Sequence, residues 1–302
     1  ARAIPGVETV AGGRYHRSIA LGEAQGVVSV ARADGNRLAV TLRFPDLTAL
    51  PTIIARLRRV FDLSADPTAI AQHLREDSAL TPLVEARPGL RVPGAWDGFE
   101  IAVRAILGQQ ITVAAASKLA GKLVRAFGEA LPPDLGAEPG LTHVFPTPAR
   151  LAAADIAALG MPAARARALN ALAAAVAADP RLFGPRQSLE AAVERLRALP
   201  GIGEWTAQYI AMREMREPDA FPAADIGLAR AMADADGKRP TPATLLARAE
   251  RWRPWRAYAA VHLWSSQHRS PAPREVIDAS VTSPPLPPRS RDDADRHSAP
   301  GH

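Results

Sequence analysis

The chain has 302 residues, 47% hydrophobic and 23% charged, with a net charge of +6 and no cysteine. This length holds about two domains with sizeable cores; the lack of cysteine excludes disulfides, thiolate metal sites, a cysteine nucleophile and a cysteine-ligated iron–sulfur cluster. No apolar run approaches the ~20 residues of a membrane span, no signal peptide opens the chain, and the basic balance favours a polyanionic partner, nucleic acid first. A cytoplasmic protein is expected. The chain opens without an initiator Met, so it reads as trimmed or as the C-terminal part of a longer protein.

Residues 1–77 read as a small sheet backed by helices. Arg14 to Leu21 reads as a strand, and Val27 to Ala33 and Arg37 to Phe44 alternate apolar and polar residues. Asp34-Gly35-Asn36 between them is a hairpin turn signal. Leu47 to Phe61 carries a helical apolar stripe, and Asp66 to Glu76 starts with a cap and a first-turn proline. Residues 78–278 are almost wholly helical. Phe99 to Phe127 is one or two helices, with a break expected around Gly108. Pro148 to Leu159 is a helix closed by Gly160. Pro162 to Ala178 and Ser188 to Ala198 follow, the latter with a serine cap. Gly203 to Arg213, Ala224 to Asp234, Pro242 to Arg251 and Trp255 to Gln267 complete an all-α domain. The stretch Asp134 to Pro148 reads as a loop. Residues 279–302, rich in proline, serine, arginine and aspartate, read as a disordered tail. The fold class is therefore α+β: a small antiparallel sheet with helices, then an all-α domain.

Leu199-Pro200-Gly201-Ile202-Gly203 lies between two helices. Two glycines two residues apart let the chain reverse closely against a neighbour. The next helix begins at once, and its free N–H groups suit a phosphate. Ile202 can point inward and staple the helices. This is a helix-hairpin-helix, a device that grips a DNA backbone without reading bases. Asp225 follows within Phe221-Pro-Ala-Ala-Asp-Ile-Gly-Leu-Ala-Arg230, and on spacing alone it is a helix cap.

Taken together, hairpin and aspartate resemble the helix-hairpin-helix base-excision glycosylases, and most of all the AlkA-type 3-methyladenine DNA glycosylase II branch. Two further stretches are similar: Pro93-Gly94-Ala95-Trp96-Asp97-Gly98-Phe99-Glu100 with Ala105-Ile106-Leu107-Gly108-Gln109-Gln110-Ile111-Thr112, and Arg251 to Trp264. The resemblance implies a TATA-binding-protein-like N-terminal domain and makes Asp225 catalytic. It implies a base pocket of Trp205, Tyr209 and Trp264, lined by Val113, with Trp252 and Trp255 left to the core. Trp205 and Tyr209 are four apart and share a helix face. It places Gln109, Gln110, Gly201, Gly203 and Thr206 at the DNA, the two glutamines at a wedge; Gln110 departs from members with leucine there. It further implies that backbone carbonyls of Arg197, Leu199 and Ile202 hold a structural sodium or potassium ion. No other cofactor is expected.

The implied partner is double-stranded DNA with damaged bases, met by a monomer away from membranes. The chemistry implied is extrusion of an alkylated base, cation–π stabilisation of that base, and electrostatic stabilisation of the sugar cation by the aspartate. Bifunctional members carry a lysine two residues after the second hairpin glycine. Here that position is Trp205, which implies no strand cleavage. The alternatives are a non-catalytic DNA-binding module, or the glycosylase part of a fusion with an adaptive-response (Ada-like) domain, since Arg2 to Glu8 resembles the junction in such fusions.

Overall fold

A computed structural model describes residues 2–135, 140–184 and 188–267. The tail expected from residue 279 lies outside these residues, as does part of the loop before Pro148. Four strands form an antiparallel meander in sequence order: β1 (Glu8–Ala11), β2 (Arg14–Leu21), β3 (Ala24–Ala33) and β4 (Arg37–Arg43). Leu21 pairs with Ala24 across a two-residue turn whose Gly22 has φ +60°. The Asp34-Gly35-Asn36 turn joins β3 to β4, Ala33 pairing with Arg37. β1 carries no sequence signal, because four residues are too few to show a period.

One face of the sheet presents Ile19, Val28 and Val30 to α1 (Leu50–Val60), whose Ile53 and Leu57 close a small core over Trp96. Then come α2 (Pro67–Leu74), capped by Asp66, and α3 (Thr81–Ala86). The expected break at Gly108 separates α4 (Gly98–Leu107) from α5 (Val113–Phe127). Two-residue strands β5 (Glu129–Ala130) and β6 (His143–Val144) pair, β6 lying within the stretch read as loop. The single helix expected over 148–159 is two pieces: α6 (Pro148–Ala152) and a 3-10 turn, Ile156–Leu159. Asp155 restarts the chain by accepting the Ala158 N–H, and Asn170 donates to the carbonyls of Leu151 and Ala154 in the gap. Gly160 closes the second piece at φ +80°.

Next are α7 (Ala163–Ala178), α8 (Leu189–Arg197) capped by Ser188, and α9 (Glu204–Ile210). α9 runs directly into a π turn, Ala211–Met215. α10 (Ile226–Ala231), α11 (Pro242–Ala249) and α12 (Arg256–Ser266) complete the helical part. Its core is continuous from Ile4 to Leu263 and includes the fully buried Trp252. No helix among the described residues is long and apolar enough to cross a membrane.

A buried ionic cluster joins sheet to helices. Arg17 on β2 donates to Glu100 on α4 at 2.6 Å, Arg104 donates to the other Glu100 oxygen at 2.6 Å, and Arg104 also pairs with Glu8 on β1. The Tyr15 hydroxyl donates to Glu8 at 2.6 Å. Burial alone would raise the Glu8 carboxyl, but Arg104, Arg17 and Tyr15 outweigh it and hold it down at about 2. Every charge has a partner, so removing one leaves others buried and unmatched, at a cost of about 3–5 kcal/mol. Glu100→Gln is accordingly expected to lower unfolding free energy by ~3 kcal/mol in urea titration.

The π turn carries a further buried carboxylate. Glu214 accepts from Arg59 on α1 at 2.8 Å, while its other oxygen is buried with no partner. Burial pushes its carboxyl up to about 8 against the pull of Arg59. The folded state therefore holds this proton where the unfolded chain, at the ordinary 4.5, has released it. The group thus costs stability progressively as pH rises between those values. Melting temperatures of wild type and Glu214→Gln should diverge from pH 5 to pH 8, the wild type falling relative to the variant.

Candidate active site and nucleic-acid interface

α8 and α9 flank the hairpin. Gly201 sits at φ +79°, and a Cβ there would lie 2.4 Å from the Ala168 Cβ on α7. It is glycine on both counts. Gly203 is different: it caps α9 with φ −88° and open space around it. Ile202 between them is buried and staples the turn into the core. Arg197 and Glu204 pair across the hairpin at 3.3 Å. The Leu199 carbonyl accepts the Ile202 N–H at 3.2 Å, and among the described residues no backbone N–H bonds to the carbonyls of Arg197 or Ile202. This oxygen set has lone pairs to spare and fits a weakly demanding monovalent cation.

Three elements meet at Asp225. It caps α10 by accepting the Leu228 N–H through Oδ1 at 2.9 Å. Trp264 on α12 donates its indole N–H to the same oxygen at 2.8 Å, and Trp205 on α9 donates to Oδ2 at 2.8 Å. The carboxylate is half-buried. Gly227 makes room for this arrangement, since a Cβ there would lie 2.8 Å from Oδ1 and 3.2 Å from Trp264. Trp205 stacks on Tyr209, centroids 5.3 Å apart and planes within 10°, and Tyr209 meets Trp264 at 6.4 Å.

The stack continues into the π turn that follows α9. Arg213 lies 5.4 Å from the Tyr209 centroid and donates to its hydroxyl at 3.0 Å. Arg2 donates to the same oxygen at 3.4 Å. Burial would raise the Tyr209 phenol, but Arg213, Arg2 and Arg104 lower it below its ordinary value.

The structure thus gathers Asp225, Trp205, Tyr209 and Trp264, and it separates the other expected site residues by exposure. Val113 opens α5 with its side chain 44% exposed. Gln110 is exposed, at φ +59°. Two of the expected residues are engaged within the protein. Thr206, expected at the DNA, is buried, its hydroxyl accepting from the Gln109 amide at 3.0 Å. Gln109, expected at a wedge beside Gln110, turns onto the hairpin instead, donating also to the Gly201 carbonyl at 2.9 Å. Only Gln110 of the pair projects freely. Trp252 is in the core, as assigned, and Trp255 packs on it partly buried. Arg213 and Gly227 escaped sequence reasoning. Arg213 is four residues after Tyr209, a faint signal; Gly227 had none beyond its place two residues after Asp225.

Residues 103–257 match the HhH-GPD superfamily of base excision DNA repair proteins, and residues 1–97 match the AlkA N-terminal domain. The chain belongs to the HhH-GPD superfamily. Within it, DNA-3-methyladenine glycosylase 2 of Escherichia coli is 39% identical over 280 residues, which cover 90% of this chain and 92% of that protein. A probable bifunctional transcriptional activator/DNA repair enzyme AlkA of Mycobacterium tuberculosis is 42% identical over 266 residues, 88% of this chain. The chain spans about half the length of that relative, 53%. A 3-methyladenine DNA-glycosylase from Archaeoglobus fulgidus shares the fold with a TM-score of 0.73 at 23% identity, over 85% of this chain and 88% of that one. The α+β reading of the sequence is the fold of this superfamily. The two family models meet between residues 97 and 103, in the first turn of α4 and beyond the 77/78 boundary read from the sequence.

The two hairpin glycines should respond differently to alanine. Gly201→Ala meets both a clash and a strained φ and is expected to cost about 1–3 kcal/mol of stability. Gly203→Ala should melt like the wild type, any loss falling on DNA affinity; calorimetry beside a binding titration separates the two.

Proposed function

We propose that this chain is a monofunctional DNA-3-methyladenine glycosylase, acting as a monomer on double-stranded DNA. It extrudes an alkylated base of the 3-methyladenine or 7-methylguanine type, hydrolyses its N-glycosidic bond and leaves an abasic site. One observation carries the reading: a single carboxylate, Asp225, is held by two indole N–H groups, one from a ring stacked on Tyr209 and two residues past the Gly201–Gly203 hairpin. A helix cap needs neither indole. The 39% identity to a 3-methyladenine glycosylase over almost its whole length supports the same substrate class.

The target bond lies inside the base stack, so the nucleotide leaves the duplex first, at a cost of a few kcal/mol. Hairpin backbone at Gly201 and Gly203 holds the phosphates, and Gln110 fills the gap left by the base. Arg197, Leu199 and Ile202 would hold a monovalent cation through their carbonyls, adding positive charge for a phosphate. Alkylation at N3 or N7 makes the base cationic, and the faces of Trp205, Tyr209 and Trp264 stabilise it by ~0.5–2 kcal/mol, with Val113 at the margin. The bond then breaks towards an oxocarbenium-like sugar. Asp225 stabilises that charge electrostatically and orients the attacking water through its remaining lone pairs. Glu204-Trp205-Thr206 follows the hairpin, so no lysine is placed to form a Schiff base and the strand stays intact. The name of the M. tuberculosis relative supports a transcription-activating domain as a further partner of this one.

The test is release of free base from methylated duplex DNA. Wild type is expected to free 3-methyladenine and 7-methylguanine and to cut no strand before alkali is added. Asp225→Asn should lose about 10²–10³ in rate while still binding duplex. If both proteins bind alike and neither frees a base, the chain is a binding module.

A further inference from the structure

We propose that Arg165 is a positioning residue for base extrusion, holding the 108–112 loop so that Gln110 is presented to the duplex. This rests on the glycosylase reading above. The loop joining α4 to α5 has to turn sharply, and Gln110 adopts φ +59°, a left-handed conformation that a non-glycine residue keeps only when its surroundings impose it. Two restraints impose it, both through the neighbouring residue. The Gln109 side chain donates to the Gly201 carbonyl at 2.9 Å and to Thr206 Oγ1 at 3.0 Å. The Gln109 backbone carbonyl accepts Arg165 Nη2 at 2.6 Å.

Arg165 sits in the first turn of α7, three residues before the Ala168 against which Gly201 packs. One helix therefore supports both the hairpin and the loop. The position is a poor one for a cation, since the helix N-terminus already carries partial positive charge. Its Nε is buried without a partner, a further cost. Neither feature serves stability, so the side chain is better explained by what its other end holds. Through Gln109, the backbone grip of the hairpin and the exposed Gln110 become one rigid part. Loosening the carbonyl would let the loop relax from the left-handed turn and withdraw the wedge while leaving Asp225 and the aromatic walls in place.

The prediction separates extrusion from bond cleavage. Arg165→Met is expected to slow single-turnover release from a fully paired lesion by roughly tenfold or more. It should change release much less when the same lesion lies in a bulge, where no pairing is broken. Arg165→Lys, which keeps a donor, should recover part of the rate. A second readout needs no cleavage: 2-aminopurine placed beside the lesion should brighten less on binding Arg165→Met than on binding wild type. Melting temperature and undamaged-duplex affinity of each variant show whether the fold survives. If Arg165→Met matches the wild type on paired DNA, or loses paired and bulged substrates equally, the proposal is wrong. If wild type itself frees no base, the glycosylase reading fails first, and the 2-aminopurine signal alone judges the loop.

Discussion

A carboxylate between two indoles fixes the geometry on which the candidate site depends. Asp225 accepts from Trp205 on the hairpin helix α9, from Trp264 on the last described helix α12, and from the backbone of its own helix α10. Three helices distant in sequence are thereby drawn to one pair of oxygens. Hydrogen bonds to a charged acceptor are worth about 1.5–3 kcal/mol each, so the carboxylate orders the aromatic walls as much as they order it. The hairpin that would hold the DNA backbone ends two residues before Trp205, whose indole binds the group that would act on the sugar. A small register change in α9 would move both together. Gly227 shows how tightly the space is drawn, since even a methyl group there would press on Asp225 and Trp264.

The sheet stands behind this site through the ionic cluster of Arg17, Glu100, Arg104 and Glu8. α4 supplies two of its four charges and then leads directly into the loop that carries Gln109 and Gln110. Arg104 also donates to the backbone carbonyl of Arg2, whose side chain reaches the Tyr209 hydroxyl. The first residues are thus part of the aromatic wall's support. Ile4 and Val7, both fully buried, anchor that segment in the helical core. The N-terminal portion is therefore a brace for the site as well as a sheet.

Much of this was legible in the sequence where local grammar is sharp. The hairpin, the caps at Asp66 and Ser188, the break at Gly108 and the strands from Arg14 to Arg43 all follow from residue types at fixed offsets. The pairing of Trp205 with Tyr209 on one face follows from helical spacing. What escaped depends on contacts between distant segments. Arg17 finds its partner, Glu100, 83 residues further along the chain. Gln109 reads as a wedge until Gly201 and Thr206 are brought within reach. The π turn at Ala211–Met215 has no local signature; it follows Tyr209 on α9 and places Glu214 against Arg59 of α1. The α6 helix ends early where Asn170 satisfies the carbonyls of Leu151 and Ala154 and Asp155 caps the turn that follows, a competition invisible to periodicity.

The central claim is electrostatic: the Asp225 carboxylate faces positive charge as it develops on the sugar. The most direct measurement is the affinity for duplex DNA bearing a cationic pyrrolidine in place of the target sugar, set against the uncharged tetrahydrofuran analogue, for wild type and Asp225→Asn. The account predicts that wild type prefers the cationic duplex strongly and that the preference collapses in the variant while tetrahydrofuran binding is largely kept. An equal preference in both proteins would mean that Asp225 does not face the sugar, and would contradict the account.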